Sequence, residues 1–179
     1  MRQFLAIPLP GELKEKLGEI ITPFRGIKGL RPVRKENLHI TLLFLGDAGS
    51  EEKFSELRKI SFSPFTLNTT CIKLFPERKP RLIWLELEKS EQLNDLYERI
   101  AGVFDTKEKL KAHITLSRIK WLLPQDLRVV SEDIRLVNPF KTDITVNCFS
   151  LYNSELRPEG PVYRVAETFN ARNNIGGCR

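Results

Sequence analysis

Leu38-His39-Ile40-Thr41-Leu42 and Ala112-His113-Ile114-Thr115-Leu116 are the two stretches around which this chain reads. The tetrapeptide HITL occurs in both, the second copy 74 positions after the first. The chain has 179 residues and two histidines, so every histidine sits in a copy of the motif. In a strand, residues i and i+2 share a face. His39 and Thr41 therefore share one face, and Ile40 and Leu42 share the other. The same holds for His113 and Thr115 against Ile114 and Leu116. Each copy anchors two apolar residues in a core and offers an imidazole and a hydroxyl on the opposite side.

The flanking sequence repeats the same order of elements. Phe4–Leu9 is a short apolar run bounded by prolines, a strand. Leu13, Leu17, Ile20 and Ile21 fall on one face of a helix over about Gly11–Phe24. Leu38–Leu45 is the first motif strand. Ser50 caps a helix carrying Phe54, Leu57 and Ile60, and Phe65–Phe75 is a strand. The pattern then restarts. Leu82–Leu87 is a strand, and Ser90 caps a helix with the stripe Leu93, Leu96, Tyr97, Ile100, Val103 and Phe104. His113–Ser117 is the second motif strand, and Pro124 opens a helix with Leu127, Val130 and Ile134. Ile144–Leu151 and Val162–Phe169 read as strands, and 171–179 as a flexible tail. This internal duplication predicts an α+β fold of two pseudo-symmetric α/β lobes within residues 1–170. Each lobe has an antiparallel-rich sheet with helices on its outer face, and the two histidine strands line a central cleft.

Composition narrows the function. Hydrophobic residues make up 41 %, enough for a core. No apolar run is long enough for a membrane span, and MRQFLAIPLPGE lacks a signal-peptide pattern. A cytoplasmic protein with no membrane partner is expected, and a monomer. Three cysteines with no CxxC spacing argue against a disulfide framework. Cys71 and Cys148 read as small buried hydrophobes and Cys178 as an exposed thiol. The net charge of +6 is compatible with a polyanionic ligand.

Two imidazoles across one cleft suit proton transfer in both directions. With an ordinary pKa near 6.5, one can be neutral and accept a proton while the other is charged and donates one. The threonine hydroxyls can hold an anion between them. A phosphodiester fits, with two non-bridging oxygens for the hydroxyls and an attacking and a leaving oxygen for the imidazoles. Arg118, Lys111 and Arg81 are candidate charge-assisted contacts. Arg118 is five residues past His113, on the opposite face of an ideal strand, so a bend or bulge is needed to aim it at the cleft. Tyr163 and Trp121 are candidates for base stacking. The loop from Arg25 to Lys35 and the pair Arg78-Lys79 would extend a basic track. Zinc wants three or four protein ligands. No third histidine exists and no cysteine or carboxylate stands beside either motif, so no metal or other cofactor is expected.

At these residues the chain resembles the two-histidine phosphoesterase superfamily, in its branch of RNA 2′,3′-cyclic phosphodiesterases, also called 2′-5′ RNA ligases. The paired HxTx motifs His39-Ile-Thr-Leu and His113-Ile-Thr-Leu carry the likeness. FLAIPLP, NLHITLLFLG, PRLIWL, HITLSR and GPVY support it over about residues 1–170. Ala112 stands where the family often has proline. The resemblance implies metal-independent hydrolysis of RNA 2′,3′-cyclic phosphate ends to 2′-phosphates. It implies His39 as proton donor, His113 as proton acceptor, and Thr41 and Thr115 as holders of the phosphate oxygens. With a 5′-hydroxyl as the attacking group, the resemblance implies that the same site would join it to the cyclic phosphate in a 2′-5′ bond, as in the joining of tRNA halves. A non-catalytic RNA-end-binding protein is the third reading.

Overall fold

The structure is a computed structural model describing residues 2–47, 49–158 and 160–172. The expected tail and Cys178 therefore lie almost wholly outside the described residues. Among these, nine strands and four α-helices follow the duplicated order. The first half holds β1 (Arg2–Pro8), α1 (Gly11–Ile21), β2 (Leu30–Pro32), β3 (His39–Gly46), α2 (Glu51–Lys59) and β4 (Phe65–Phe75). The second holds β5 (Leu82–Leu87), α3 (Glu91–Phe104), β6 (His113–Ile119), α4 (Pro124–Val137), β7 (Asp143–Val146), β8 (Cys148–Arg157) and β9 (Gly160–Asn170).

The helices form where the sequence signals them. Ser50 Oγ accepts from the Lys53 amide at 3.3 Å, and Ser90 Oγ accepts from the Leu93 amide at 3.2 Å. Each cap satisfies an amide that the first turn leaves without a partner. Leu13, Leu17 and Ile21 of α1 are buried, as are Leu57 of α2, Leu93, Leu96 and Ile100 of α3, and Val130 and Ile134 of α4. They join one hydrophobic cluster with Ile40, Leu42, Ile114 and Leu116 of the motif strands. Burying each of these four motif side chains contributes about 1.5–3 kcal/mol. The helices thus cover the sheet face opposite the imidazoles.

The two lobes share one sheet, with strand order β7-β4-β5-β6-β3-β1-β8-β9 and β2 paired to β6. The halves meet at a single antiparallel pair, Ile40 opposite Ile114. Those two isoleucines are the central residues of the two motifs. The pseudo-two-fold therefore passes between them, and the strands diverge on either side to open a cleft. β2 fills the gap along β6, pairing Leu30, Arg31 and Pro32 with Ile119, Arg118 and Ser117.

Three readings need correction. The first helix ends at Ile21 and continues as a 3₁₀ turn over Thr22–Gly26, where Pro23 denies the α-helix an amide. The run Ile144–Leu151 is two strands. β7 pairs with β4 and β8 with β1, on opposite arms of the sheet. Cys71 and Cys148 are half-buried free thiols rather than fully buried ones.

Candidate active site

The register at Ile40 and Ile114 decides the geometry. With these residues opposed, His39 lies across from Thr115 and Thr41 across from His113. The two histidines then sit on a diagonal, on the order of 7–8 Å apart with their Cβ atoms somewhat closer. That spacing accommodates one tetrahedral phosphate between ring nitrogens. His39, Thr41, His113 and Thr115 all line one cleft of about 540 Å³.

The duplication extends to how each ring is held. His39 Nδ1 is 2.6 Å from the Asn37 carbonyl, and His113 Nδ1 is 2.7 Å from the Lys111 carbonyl. A carbonyl only accepts, so Nδ1 carries the proton in both neutral rings. Nε2 is then the unprotonated nitrogen of each neutral ring. Thr41 Oγ1 lies 2.9 Å from His39 Nε2 and, with the ring neutral, donates to it.

The environments of the rings differ. His39 sits among Phe4 at 5.0 Å, Tyr163 at 5.5 Å edge-on and Tyr152 at 6.3 Å between centroids. Burial in this aromatic surround, aided by the positive charges of Lys14, His113 and Arg118, pushes its pKa down to about 4. The hydrogen bond to Asn37 opposes the shift. His113 packs against the indole of Trp84 at 4.6 Å. Burial lowers its pKa also, with Arg118 acting in the same direction. Both rings are therefore held toward the neutral form in the absence of an anion.

The bulge required for Arg118 is present. On β6, Ser117 pairs with Ile83 and Thr115 with Trp84, so one β6 residue is extra. Leu116 and Ser117 are both buried, strand parity flips, and Arg118 lines the cleft beside His113 and Thr115. The Val33 amide bonds the Leu116 carbonyl at 2.8 Å, closing the irregularity. β3 carries the same bulge against β1, between Thr41 and Leu43. It turns Phe44, five residues after His39, into the cleft at 69 % exposure. Arg118 and Phe44 are thus equivalent under the pseudo-two-fold, one cationic and one aromatic.

Of the other expected contacts, Tyr163 lines the cleft. Arg81 and Lys111 are not among the lining residues. Arg81 contributes its backbone, its amide bonding to Phe75 and its carbonyl accepting from Ile119. Lys111 contributes the carbonyl that orients His113. Trp121 is also outside the lining. Its carbonyl lies where a Cβ on Gly29 would stand, and Gly29 has φ +86, so that close approach needs glycine. Of the basic loop from Arg25 to Lys35, Arg31 and Arg34 line the cleft, while sequence reasoning missed Phe4, Asn37, Phe44 and Trp84. For Phe44 a signal existed, because comparing the two copies five residues past each histidine pairs it with Arg118. Asn37 also ties the cleft together, its Nδ2 donating to the Pro161 carbonyl at 2.8 Å.

Residues 7–84 match the model of the LigT-like phosphoesterases. A protein of Archaeoglobus fulgidus named RNA 2′,3′-cyclic phosphodiesterase is 32 % identical, over 94 % of this chain and 99 % of that one. This chain belongs to the LigT-like phosphoesterase family. A Thermotoga maritima phosphoesterase of the same name is 34 % identical, over 92 % of each chain. The crystal structure of TT0787 from Thermus thermophilus superposes with a TM-score of 0.80 and 31 % identity, covering 97 % of this chain and 100 % of that one. Escherichia coli LigT complexed with 3′-AMP gives a TM-score of 0.75 and 25 % identity, covering 95 % and 97 %. The LigT-like fold of this chain is thus a curled antiparallel sheet with its helices on one side and the twin histidines on the other.

Proposed function

We propose that this phosphoesterase hydrolyses RNA 2′,3′-cyclic phosphate ends to 2′-phosphomonoesters by two-histidine acid–base catalysis, without a metal. The observation that carries the reading is the pair of Nδ1-anchored imidazoles related by the Ile40–Ile114 register, both lining one cleft. The relatives' shared name, RNA 2′,3′-cyclic phosphodiesterase, supplies the substrate class. Among the described residues, no group of three or more His, Cys, Asp and Glu is placed to hold a metal.

In the reaction, the cyclic phosphate lies between the rings with its non-bridging oxygens on the Thr41 and Thr115 hydroxyls and on Arg118. Neutral His113 takes a proton through Nε2 from water as the water oxygen bonds to phosphorus. Protonated His39 gives its Nε2 proton to the departing 3′ oxygen. The products are a 2′-phosphate and a 3′-hydroxyl. The anionic substrate favours the imidazolium that burial disfavours in the bare site. A 5′-hydroxyl in place of water, deprotonated by His113 while His39 protonates the departing 3′ oxygen, gives a 2′-5′ bond and so the ligase reaction through the same groups.

The test uses His39→Ala and His113→Ala, assayed on a nucleoside 2′,3′-cyclic phosphate in a metal chelator. Each loses about 10²–10⁴-fold in turnover if the rings act as acid and base. A phosphodiester with a p-nitrophenyl leaving group needs no protonation of that group. On it His39→Ala recovers most of its activity and His113→Ala does not. Wild-type turnover in both variants refutes the reading.

A further inference from the structure

Arg31 and Arg118 are direct cross-strand partners in the β2–β6 pair, and both are exposed on the cleft wall. Like charges set opposite one another in a sheet repel and destabilise it. Neither arginine has an ion-pair partner among the described residues. Among those residues, no aspartate or glutamate lines the cleft to offset them. Two further arginines line the cleft, Arg34 next to β2 and Arg157, which pairs with Glu155 at 3.2 Å; neither is a cross-strand partner of Arg118 in the β2–β6 pair. An uncompensated pair of guanidiniums facing one cavity is electrostatically incomplete without an anionic ligand.

The two members of the pair stand at different depths. Arg118 is on the strand that carries His113 and Thr115, and its charge is felt at both imidazoles. Arg31 is one strand further out, on β2, which flanks β6 beyond the point where β3 diverges. One phosphate centred between the imidazoles is within the compass of Arg118. Arg31 then faces the next anion along the ligand. On an RNA end with a cyclic phosphate, the next anion is the phosphate on the 5′ oxygen of the terminal nucleotide.

Resting on the function proposed above, we infer that Arg31 forms a subsite for this second phosphate. The cleft then reads two successive phosphates and discriminates a 5′-phosphorylated or chain-linked terminal nucleotide from a free nucleoside cyclic phosphate. Phe44, at the place equivalent to Arg118 on the other arm, offers no matching charge, so the ligand polarity is fixed with its 5′ side toward β2.

The test compares adenosine 3′-monophosphate with adenosine 3′,5′-bisphosphate by calorimetry on the wild-type chain, Arg31→Ala and Arg31→Lys. One charge-assisted contact makes the bisphosphate bind roughly tenfold tighter to the wild type. Arg31→Ala brings the ratio close to one, and Arg31→Lys keeps part of it. Thermal unfolding of unliganded Arg31→Ala is unchanged or slightly raised, since a repulsion is removed. A wild-type ratio of one overturns the subsite, as does an equal loss for both ligands in Arg31→Ala. Turnover separates the two proposals. Cyclic phosphate hydrolysis with a ratio of one defeats the subsite alone, whereas no hydrolysis and no binding of either nucleotide defeats the enzymatic reading beneath it. Matched kcat/KM values for adenosine 2′,3′-cyclic phosphate, its 5′-phosphorylated form and a dinucleotide with the same end distinguish a terminal phosphate from a linking one.

Discussion

Two histidines with the same backbone tether behave differently because their neighbours differ. His39 sits among Phe4, Tyr152 and Tyr163, and its pKa falls to about 4. His113 meets one indole face and is also lowered below 6.5. An acid–base pair needs one ring charged and one neutral. Whichever ring is the acid, that singly protonated state peaks between the two pKa values of the free enzyme. Its population falls as pH rises, because the acid loses its proton, and falls again at low pH as the base gains one. The profile of kcat/KM for a cyclic phosphate is therefore a bell with its maximum on the acid side of 6.5. A maximum at or above pH 7.5 contradicts this assignment of environments. The meeting of His39, Thr41, His113 and Thr115 in one cleft was legible in the sequence, because their period-2 placement and repetition need no tertiary information. The aromatic surround of His39 was not, since Phe4 and Tyr152 come from strands whose pairing is long-range.

The strands do the aiming, and their irregularities matter as much as their regular parts. A straight β6 would point Arg118 into the core. The extra residue at Leu116 turns it into the cleft, and the matching bulge on β3 does the same for Phe44. The need for a bend or bulge followed from counting residues, but which of them is present could not be read locally, because a bulge is defined by the partner strand. The three-residue β2 was illegible for a similar reason. Leu30-Arg31-Pro32 lies inside a basic, glycine-rich loop and has no periodicity to detect, and it becomes a strand only by pairing with β6. The split at Asn147 was hidden because Ile144–Leu151 reads as one strand-like run, and only the two different partners, β4 and β1, divide it. Above the cleft, the β8–β9 hairpin supplies Tyr163 and is tied to the segment before His39 by the Asn37–Pro161 hydrogen bond. Asn37→Ala removes that tether and leaves the Asn37 carbonyl in place. It should raise KM for RNA ends several-fold, with a smaller change in kcat and a stability loss of about 1 kcal/mol. Steady-state kinetics and denaturant unfolding check this, and an unchanged KM would show that the hairpin needs no such anchor.

Seen whole, the molecule is one motif used twice and joined at its own centre. The duplication predicted two lobes around a cleft, and the structure adds that the lobes share a sheet through Ile40 and Ile114. Their exposed surroundings are basic. The net charge is +6, and Arg25, Lys28, Arg31 and Arg34 follow one another on the segment between α1 and β3. RNA binding through these groups should weaken with salt at a slope of roughly −0.7 for each phosphate engaged. The slope is expected to steepen from a mononucleotide to an oligonucleotide and then level off where the basic segment ends. Fluorescence anisotropy on end-labelled RNAs of increasing length measures it. A slope that does not change with length would confine recognition to the terminal nucleotide.

The most direct test of the central claim is a crystal structure with a 3′-nucleotide bound. The account predicts the phosphate between the two rings, with Nε2 of His39 and Nε2 of His113 each within hydrogen-bond reach of a different oxygen, and the Thr41 and Thr115 hydroxyls on the others. A nucleotide whose phosphate contacts one ring alone, or lies outside the cleft, would contradict it.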